Sequence, residues 1–187
     1  MEAVDGAKAI KDGKIDAMGI ARQFLTDPHW ITKLIEDRPQ DILPCIYCHN
    51  GCFNFAHYKG VANDQSMEDS KHMSRCALNP MTMDGGKYDY RPAKKQKTIT
   101  VIGGGVGGME VARIATKRGH KVTIYEKSDK LGGVFIPAGK MSFKERERMF
   151  PEWQRRPIEK LELEGNIKHK ITDLKTIKFD KNVLAQG

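Results

Sequence analysis

The four cysteines of this 187-residue sequence are its most chemically distinctive residues. Cys45, Cys48 and Cys52 have C-x2-C-x3-C spacing, and 23 residues separate Cys52 from Cys76. Three clustered thiols and one distant thiol suit a [4Fe–4S] cubane, in which the triplet covers adjacent corners and the remote cysteine closes the fourth. The surrounding segment has little periodicity and so little core to order it, and a metal centre would supply that order. We therefore predict that the four cysteines ligate a [4Fe–4S] cluster.

Two other interpretations of the cysteines stay open. Four thiolates also make a structural tetrahedral zinc site, in which His49, His57 or His72 would be able to replace one thiol. Zinc sites are more often built from two C-x-x-C pairs, and the sequence has no second pair. The third interpretation is that the thiols bind no metal. Four cysteines without a signal segment favour a reducing, cytoplasmic compartment, where metal binding is commoner than disulfides.

A glycine-rich turn is the second informative feature. Gly103, Gly105 and Gly108 follow G-x-G-x-x-G spacing, in which glycines allow a sharp turn and let backbone N–H groups approach a pyrophosphate. Glu126 lies 18 residues after Gly108, close to the separation at which a carboxylate reaches a ribose hydroxyl. An acid there favours an unphosphorylated ribose. We predict an adenine dinucleotide site for FAD or NAD rather than NADP; the alternative is a turn with no ligand.

The elements around this turn are predicted to be strand, helix and strand. Residues 98–102 are a β-branched run that suits a buried parallel strand, and residues 121–125 predict a second strand. Between them, Ala112 is small enough to let a helix lie near the sheet, and Gly119 ends that helix. The pattern therefore places the glycines where the first strand meets the helix.

The first 40 residues predict a helix, a strand and a helix. Residues 2–11 have apolar side chains at helical spacing, and residues 15–20 are a short strand candidate. Asp27 is placed to cap the next helix, with Pro28 at its first position. Such a unit needs neighbouring strands to bury both of its faces.

The last third of the chain predicts a helix followed by short strands. Ser142 and Glu145 are spaced as a capping box. Pro151 and Pro157 would each remove a helix hydrogen bond, so we expect a kink or two short helices. Three strands are predicted, and they fall at residues 167–171, 174–178 and 182–184.

Charge and hydropathy exclude several classes of protein. The net charge is +8, from 32 basic and 24 acidic residues, but no recognition helix or aromatic-studded sheet accompanies it, so we do not expect nucleic-acid binding. No apolar run reaches the 18 or so residues of a membrane span. The excess of basic residues fits a solvated surface, or attraction for anionic dinucleotides and substrates.

In this order, the motifs resemble those of the iron–sulfur flavoenzymes related to Old Yellow Enzyme. That group contains 2,4-dienoyl-CoA reductase, clostridial 2-enoate reductases and trimethylamine dehydrogenase. The segments that carry the resemblance are DAMGIARQFLTDPHW, CIYCHNGC, RCALNP, TVIGGGVGGMEVARIATKRGHKVTIYEKSDKLGG and the terminal VLAQG. The family's cluster loop usually has a dozen or so residues where this chain has 23, and VLATG where this chain has VLAQG.

The resemblance implies an α/β fold class in three parts. Residues 1–40 would be the C-terminal piece of an FMN-binding TIM barrel, residues 41–97 the cysteine-rich cluster loop and linker, and residues 98–187 the first half of a Rossmann-like FAD/NAD(P)-binding domain. Ala21 and Arg22 match the pair that grips the FMN phosphate, although the family commonly has glycine at the first position. Lys127, Gly132 and Gly133 match the motif that favours FAD.

The resemblance also implies a function for a longer enzyme of which this chain is a fragment. NAD(P)H would reduce FAD, electrons would pass singly through the cluster to FMN, and FMN would reduce an activated C=C bond of an enoate or enoyl-CoA-like small molecule. The FMN site is incomplete here and no catalytic residue is assigned, so we expect the 187 residues alone to be inactive. The alternative functions are a non-catalytic dinucleotide-binding module with structural zinc, or a remnant without ligands. Homo-oligomerisation stays open.

Overall fold

The computed structural model describes residues 3–53, 75–83, 88, 90–160, 164–167, 170–173 and 179–185. The helices are α1 (Ala3–Lys11), α2 (Arg22–Thr26), α3 (Trp30–Ile35), α4 (Val106–Lys117), α5 (Phe135–Ala138) and α6 (Glu145–Lys160). The strands are β1 (Thr98–Ile102), β2 (Lys121–Glu126), β3 (Glu164–Ile167) and β4 (Lys181–Leu184). Short 3-10 turns span Pro39–Asp41 and Ser142–Lys144. Among the helices in these ranges, none has the length and apolar composition that crossing a bilayer requires.

The described strands form one parallel sheet in the order β3-β2-β1-β4. β1 pairs with β2, with Thr98 opposite Lys121, and with β4 on its other side, with Ile99 opposite Lys181. α4 connects β1 to β2, which makes the βαβ unit of a Rossmann-like domain. The α/β fold predicted for the second half of the chain is therefore confirmed.

The core lies between this sheet and the helices α4 and α6. Its buried apolar residues are Val101, Met109, Ala112, Ala115, Val122, Ile124, Leu131 and Ile158. Ala112 is 0% exposed, as expected for a small residue that lets α4 approach the sheet. Gly119 has a φ of 88° and follows the last residues of α4, so the predicted glycine end of this helix is also confirmed.

The N-terminal part differs from its prediction in two respects. Residues 15–20 form no strand; a strand needs a partner for its N–H and C=O groups, and none of the described strands pairs with this segment. The helix expected to begin at Pro28 begins at Trp30. Asp27 Oδ1 still accepts a hydrogen bond from the His29 N–H, at 3.1 Å. The N-cap of this helix is His29, which makes no side-chain capping bond, so the prediction that Asp27 caps the helix is wrong.

The C-terminal part also departs from its prediction. α6 is one helix that contains both Pro151 and Pro157, because packing of its buried side chains outweighs the two lost backbone hydrogen bonds. The helix starts at Glu145, and Ser142 lies in the preceding 3-10 turn rather than at the N-cap. β3 lies three residues earlier than predicted, β4 lies where a strand was expected, and the strand predicted at residues 174–178 lies outside the described residues.

Candidate functional site

All four cysteines line a single cavity, and none of them forms a disulfide. The cavity has about 320 Å³ of empty space, its open mouth included. Its other lining residues are Arg22, Leu25, Thr26, Ile46, Tyr47, His49, Gly51, Ala77 and Leu78. The donor set is thus four thiols in a largely apolar wall, which is the set expected for an iron–sulfur cluster.

The side chain of Gln23 fixes the backbone that leads into this cavity. Its Nε2 donates to the Leu43 carbonyl at 2.8 Å, and its Oε1 accepts from the Cys45 N–H at 3.0 Å. Buried Asp27 accepts from the Leu43 N–H at 2.9 Å. The first cysteine is therefore positioned by α2 and the residue that follows it, a role that the sequence motifs did not reveal.

Cys76 reaches the same cavity through contacts made by its neighbours. The Arg75 N–H donates to the Gly51 carbonyl at 2.6 Å. A Cβ on Gly51 would lie 2.7 Å from the Arg75 carbonyl oxygen, so this close approach requires glycine. The Cys76 Sγ lies 3.4 Å from Thr26 Oγ1. The structure thus brings together the triplet and the distant thiol, as the cluster prediction requires.

The alternative zinc site makes a stricter geometric demand. Four sulfur atoms about 2.3 Å from one zinc ion must converge on a point. Within the described residues, no group of three or more His, Cys, Asp or Glu side chains is arranged to hold a metal ion. His49 lines the cavity, whereas His57 and His72 lie outside the described residues. The four thiols therefore share a cavity but form no ready-made site for a single metal ion.

A larger pocket opens at the carboxyl ends of β1 and β2, and most of the predicted dinucleotide residues line it. It has about 1690 Å³ of empty space, its open mouth included. The predicted residues that line it are Gly103, Gly105, Glu126, Lys127 and Gly133. Gly108 and Gly132 are not among its lining residues. Parallel sheets of this kind bind ligands at that end of their strands.

The glycines of the turn fall into two groups. A Cβ on Gly108 would lie 1.9 Å from the Gly103 carbonyl oxygen, so Gly108 is required for packing of α4 against the turn. A Cβ on Gly105 or Gly107 would meet nothing within 4 Å, and both residues line the pocket. Neither has a left-handed φ. The empty space over these two glycines is what a pyrophosphate approaching the backbone needs, so the turn fits a dinucleotide.

Glu126 joins the glycine turn to the segment after β2. Its Oε2 accepts from the Gly104 N–H at 2.6 Å, and its Oε1 accepts from the Ser128 N–H at 2.8 Å and from the Ser128 hydroxyl at 2.6 Å. Burial raises the pKa of Glu126, but the bonds from Ser128 and Gly104 and the nearby Lys127 charge outweigh it, so the pKa is lowered overall. The group is an ionised carboxylate, and three of its roughly four acceptor sites are used.

The glycine pair after β2 packs directly on the turn after β1. The Gly132 N–H donates to the Gly104 carbonyl at 2.8 Å. Gly132 and Gly133 have φ values of 130° and 53°, which favour glycine. A Cβ on Gly133 would lie 3.1 Å from the Gly105 Cα. The two glycine motifs, separate in sequence, therefore form one wall of the pocket.

Two side chains of α6 hold these loops, and the sequence motifs did not identify either. Gln154 is 1% exposed, and its Nε2 donates to the Val106 carbonyl at 3.1 Å. Arg155 Nε donates to the Leu131 carbonyl at 2.8 Å. A polar residue that falls on the buried side of an amphipathic helix is the only signal that would have identified Gln154.

The two residues matched to an FMN phosphate lie at the start of α2. Arg22 lines the thiol cavity, and its Nη1 lies 2.8 Å from His49 Nε2. Ala21 is exposed and lines neither pocket. The structure thus brings Arg22 to the cysteines and leaves Ala21 apart from both pockets.

Comparison with known proteins agrees with this geometry. The family described as pyridine nucleotide-disulphide oxidoreductase matches residues 59–147. The chain is 33% identical to a cinnamate reductase of Clostridium sporogenes over 96% of its length, and 29% identical to an NADH oxidase of Thermoanaerobacter brockii, also over 96%. These matches cover 25% and 26% of the two relatives. The chain therefore spans about a quarter of the length of the curated relatives it matches.

A solved structure shares the fold as well as the sequence. The 2-naphthoyl-CoA reductase in complex with 2-naphthoyl-CoA superposes with a TM-score of 0.83 at 32% identity, over 96% of this chain and 26% of that one. The sequence relatives and the structural match therefore point to the same group of proteins. The chain belongs to the Old Yellow Enzyme-related oxidoreductases that carry a pyridine nucleotide-disulphide oxidoreductase domain.

Proposed function

We propose that this chain is the central part of an NAD(P)H-dependent iron–sulfur flavoprotein that passes electrons between two flavins. The observation that carries the proposal is the single cavity lined by Cys45, Cys48, Cys52 and Cys76. Thiols separated by 23 residues in sequence meet there without forming disulfides. A ready explanation is that one polynuclear centre binds all four.

The residues of the chain have distinct tasks in this proposal. When bound, FAD would take hydride from NAD(P)H, and a [4Fe–4S] cluster would carry single electrons between FAD and FMN. Gly105 and Gly107 leave the backbone open to the pyrophosphate at the N-terminus of α4. Glu126 is ionised and has acceptor capacity left for a ribose hydroxyl, and Lys127 lies at the same wall.

The wall of the thiol cavity would control the environment of the cluster. Its apolar members Leu25, Ile46 and Leu78 would limit the contact of a bound cluster with water. Exclusion of water and hydrogen bonds to sulfur are two of the means by which a protein sets the potential of such a centre. Thr26 Oγ1, whose hydroxyl also lies 3.1 Å from the Arg22 carbonyl oxygen, contacts the Cys76 Sγ at this wall.

The remaining parts of the proposal rest on the family. Residues 1–40 would end an FMN-binding TIM barrel, residues 41–97 would form the cluster loop, and residues 98–187 would be the first half of the FAD-binding domain. Ala21 and Arg22 would hold the FMN phosphate. An activated C=C bond is the proposed target, because relatives include a cinnamate reductase and a 2-naphthoyl-CoA reductase.

Anaerobic reconstitution of the chain with iron and sulfide tests the cluster. We expect a brown protein with about four irons and four sulfides per chain. Cys45→Ser should lose colour and iron, since a cubane loses a corner ligand, while FAD affinity stays within about twofold because the nucleotide pocket shares no lining residue with the cavity. A colourless protein with one zinc per chain would support the non-catalytic binding module instead. Iron-free protein after reconstitution would refute the relay.

A further inference from the structure

Helix α6 contacts both pockets through different side chains. Gln154 and Arg155 bond the nucleotide loops, at the Val106 and Leu131 carbonyls. Residues on another side of the helix bond the segment that leads to the cysteines: Trp153 Nε1 donates to the Asp41 carbonyl at 3.2 Å, and Arg156 donates to the Gln40 carbonyl at 3.2 Å. The helix therefore bridges the dinucleotide-binding part and the approach to the thiol cavity.

The first turn of α6 reaches the wall of the thiol cavity itself. The Arg146 guanidinium carbon lies 5.0 Å from the centre of the Tyr47 ring. Arg22 from α2 lies over the same ring at 5.1 Å. Tyr47 lies between Cys45 and Cys48 in sequence and lines the cavity. One aromatic ring is thus in contact with two cations that belong to different parts of the chain.

The conformation of Tyr47 makes this contact informative. Its φ is 56°, in the left-handed region that a tyrosine rarely adopts. The residue is 43% exposed, so burial gives little reason for this conformation. Attraction between guanidinium groups and the face of an aromatic ring supplies one. Removal of that attraction should release the loop between the first two cysteines.

We propose that the contact between Tyr47 and Arg146, which we call the latch, holds the cysteine loop against the dinucleotide-binding part of the chain. Arg146 is therefore a positioning residue for the thiol cavity. The inference rests on the proposed function only where it concerns a bound cluster. Arg146 also brings a positive charge to that wall. Because reduction adds negative charge to a cluster, this charge should make reduction easier.

The latch can be tested in the full 187-residue chain, first in the metal-free protein and then in the protein reconstituted with a cluster. In the metal-free protein, the alkylation rates of half-buried Cys45 and Cys52 should rise at least threefold in Tyr47→Ala and Arg146→Gln. Tyr47→Phe keeps the ring and should retain the parental rates. Lys140→Gln removes an exposed cation outside the contact and is the matched control. Unchanged rates in Tyr47→Ala, with the parental thermal transition, would overturn the latch.

The reconstituted protein supplies a second, independent readout. An anaerobic redox titration of the cluster signal should give a more negative midpoint potential for Arg146→Gln than for the parent, with Lys140→Gln unchanged. A potential equal to that of the parent in Arg146→Gln would refute the electrostatic role of Arg146. If no variant and no parent holds iron, the proposed relay fails, and the alkylation rates still decide whether the latch exists.

Discussion

Gly105 and Gly108 belong to one motif but meet different physical requirements. Space around Gly108 is closed by the Gly103 carbonyl, whereas Gly105 borders open pocket. The spacing of the motif does not distinguish the two, because both are glycine for reasons that depend on what lies beside them. Substitution should therefore separate folding from binding.

Gly105→Ala should weaken FAD or NAD binding at least about tenfold, equivalent to about 1.4 kcal/mol, because a methyl group enters the space a phosphate would occupy. Its free energy of unfolding should stay within about 0.5 kcal/mol of the parent. Gly108→Ala should instead lower that free energy by about 1–3 kcal/mol, because its Cβ collides with backbone. Dinucleotide titration and urea unfolding measure the two effects. Equal loss of stability in both variants would contradict the distinction.

Glu126 is a structural acceptor as well as a candidate ribose ligand. Its carboxylate ties the Gly104 amide to Ser128, so it shapes the loop before any ligand binds. The sequence placed an acid at the correct position but did not indicate these bonds, since Gly104 is 22 residues away in the chain.

Stability should depend on pH through Glu126. The pKa of Glu126 is lower in the folded state than in the unfolded chain, where it is about 4.3. The ionised carboxylate therefore stabilises the fold at any pH above the unfolded-state pKa. This stabilisation is lost as the pH falls through the folded-state pKa. Glu126→Gln should lower the free energy of unfolding at pH 7 by about 1–3 kcal/mol, since a buried donor loses its acceptor. The difference in unfolding free energy between Glu126→Gln and the parent should become smaller below pH 4. Exposed Glu152→Gln is the control, and a difference independent of pH would contradict this assignment.

At the scale of elements, α2 is the helix that contacts both ends of the cysteine loop. It is five residues long and carries Gln23 and Thr26, which contact Cys45 and Cys76 respectively. The carbonyl of Leu25, also in α2, accepts from Asn79 Nδ2 at 3.0 Å and from Thr82 Oγ1 at 2.7 Å. Both ends of the cysteine segment are thus fastened to one short helix.

Gln23→Leu should loosen the start of that segment. Loss of two hydrogen bonds should cost about 1–2 kcal/mol of unfolding free energy, and hydrogen exchange at the Cys45 amide, which donates to Gln23, should accelerate. Gln96→Leu removes an exposed bond to the Gly119 carbonyl and should leave the Cys45 amide unchanged. Protection of Cys45 equal to that of the parent would contradict this function of Gln23.

In α6, tertiary packing outweighs the local effect of proline. Its two prolines predicted a kink or two short helices, and residues 145–160 form one helix rather than two. Buried Phe150, Gln154 and Ile158 recur at spacing four along it, and this packed stripe stabilises the helix more than the missing backbone bonds weaken it. Local propensity is a weak guide where tertiary packing is strong.

At the scale of the whole molecule, the thiol cavity and the nucleotide pocket are formed by different parts of the chain, and α6 contacts both. Relatives that match this chain are about four times as long, since the matches cover 25% and 26% of them. Arg22, Tyr47 and Arg146 show that the parts are in direct contact within these 187 residues. That contact would relate the two predicted cofactor sites in space.

The sequence alone determined the βαβ half of the fold. Its strand, glycine turn, helix and second strand are specified by near neighbours: β-branched runs, the glycines and the helix-ending Gly119. Here these local signals agree with the packing of the sheet, so the βαβ unit was predictable. The four cysteines were recognisable too, because their residue type limits their chemistry.

Only the tertiary structure decided how distant residues meet. Cys76 joins the triplet through the approach of Arg75 to Gly51, and Glu126 closes on Gly104, across 22 to 24 positions of chain. The bonds from α6 to Val106 and Leu131 involve side chains with no motif around them. Contacts of this kind depend on how elements pack, and packing is a property of the whole fold rather than of any short stretch of sequence.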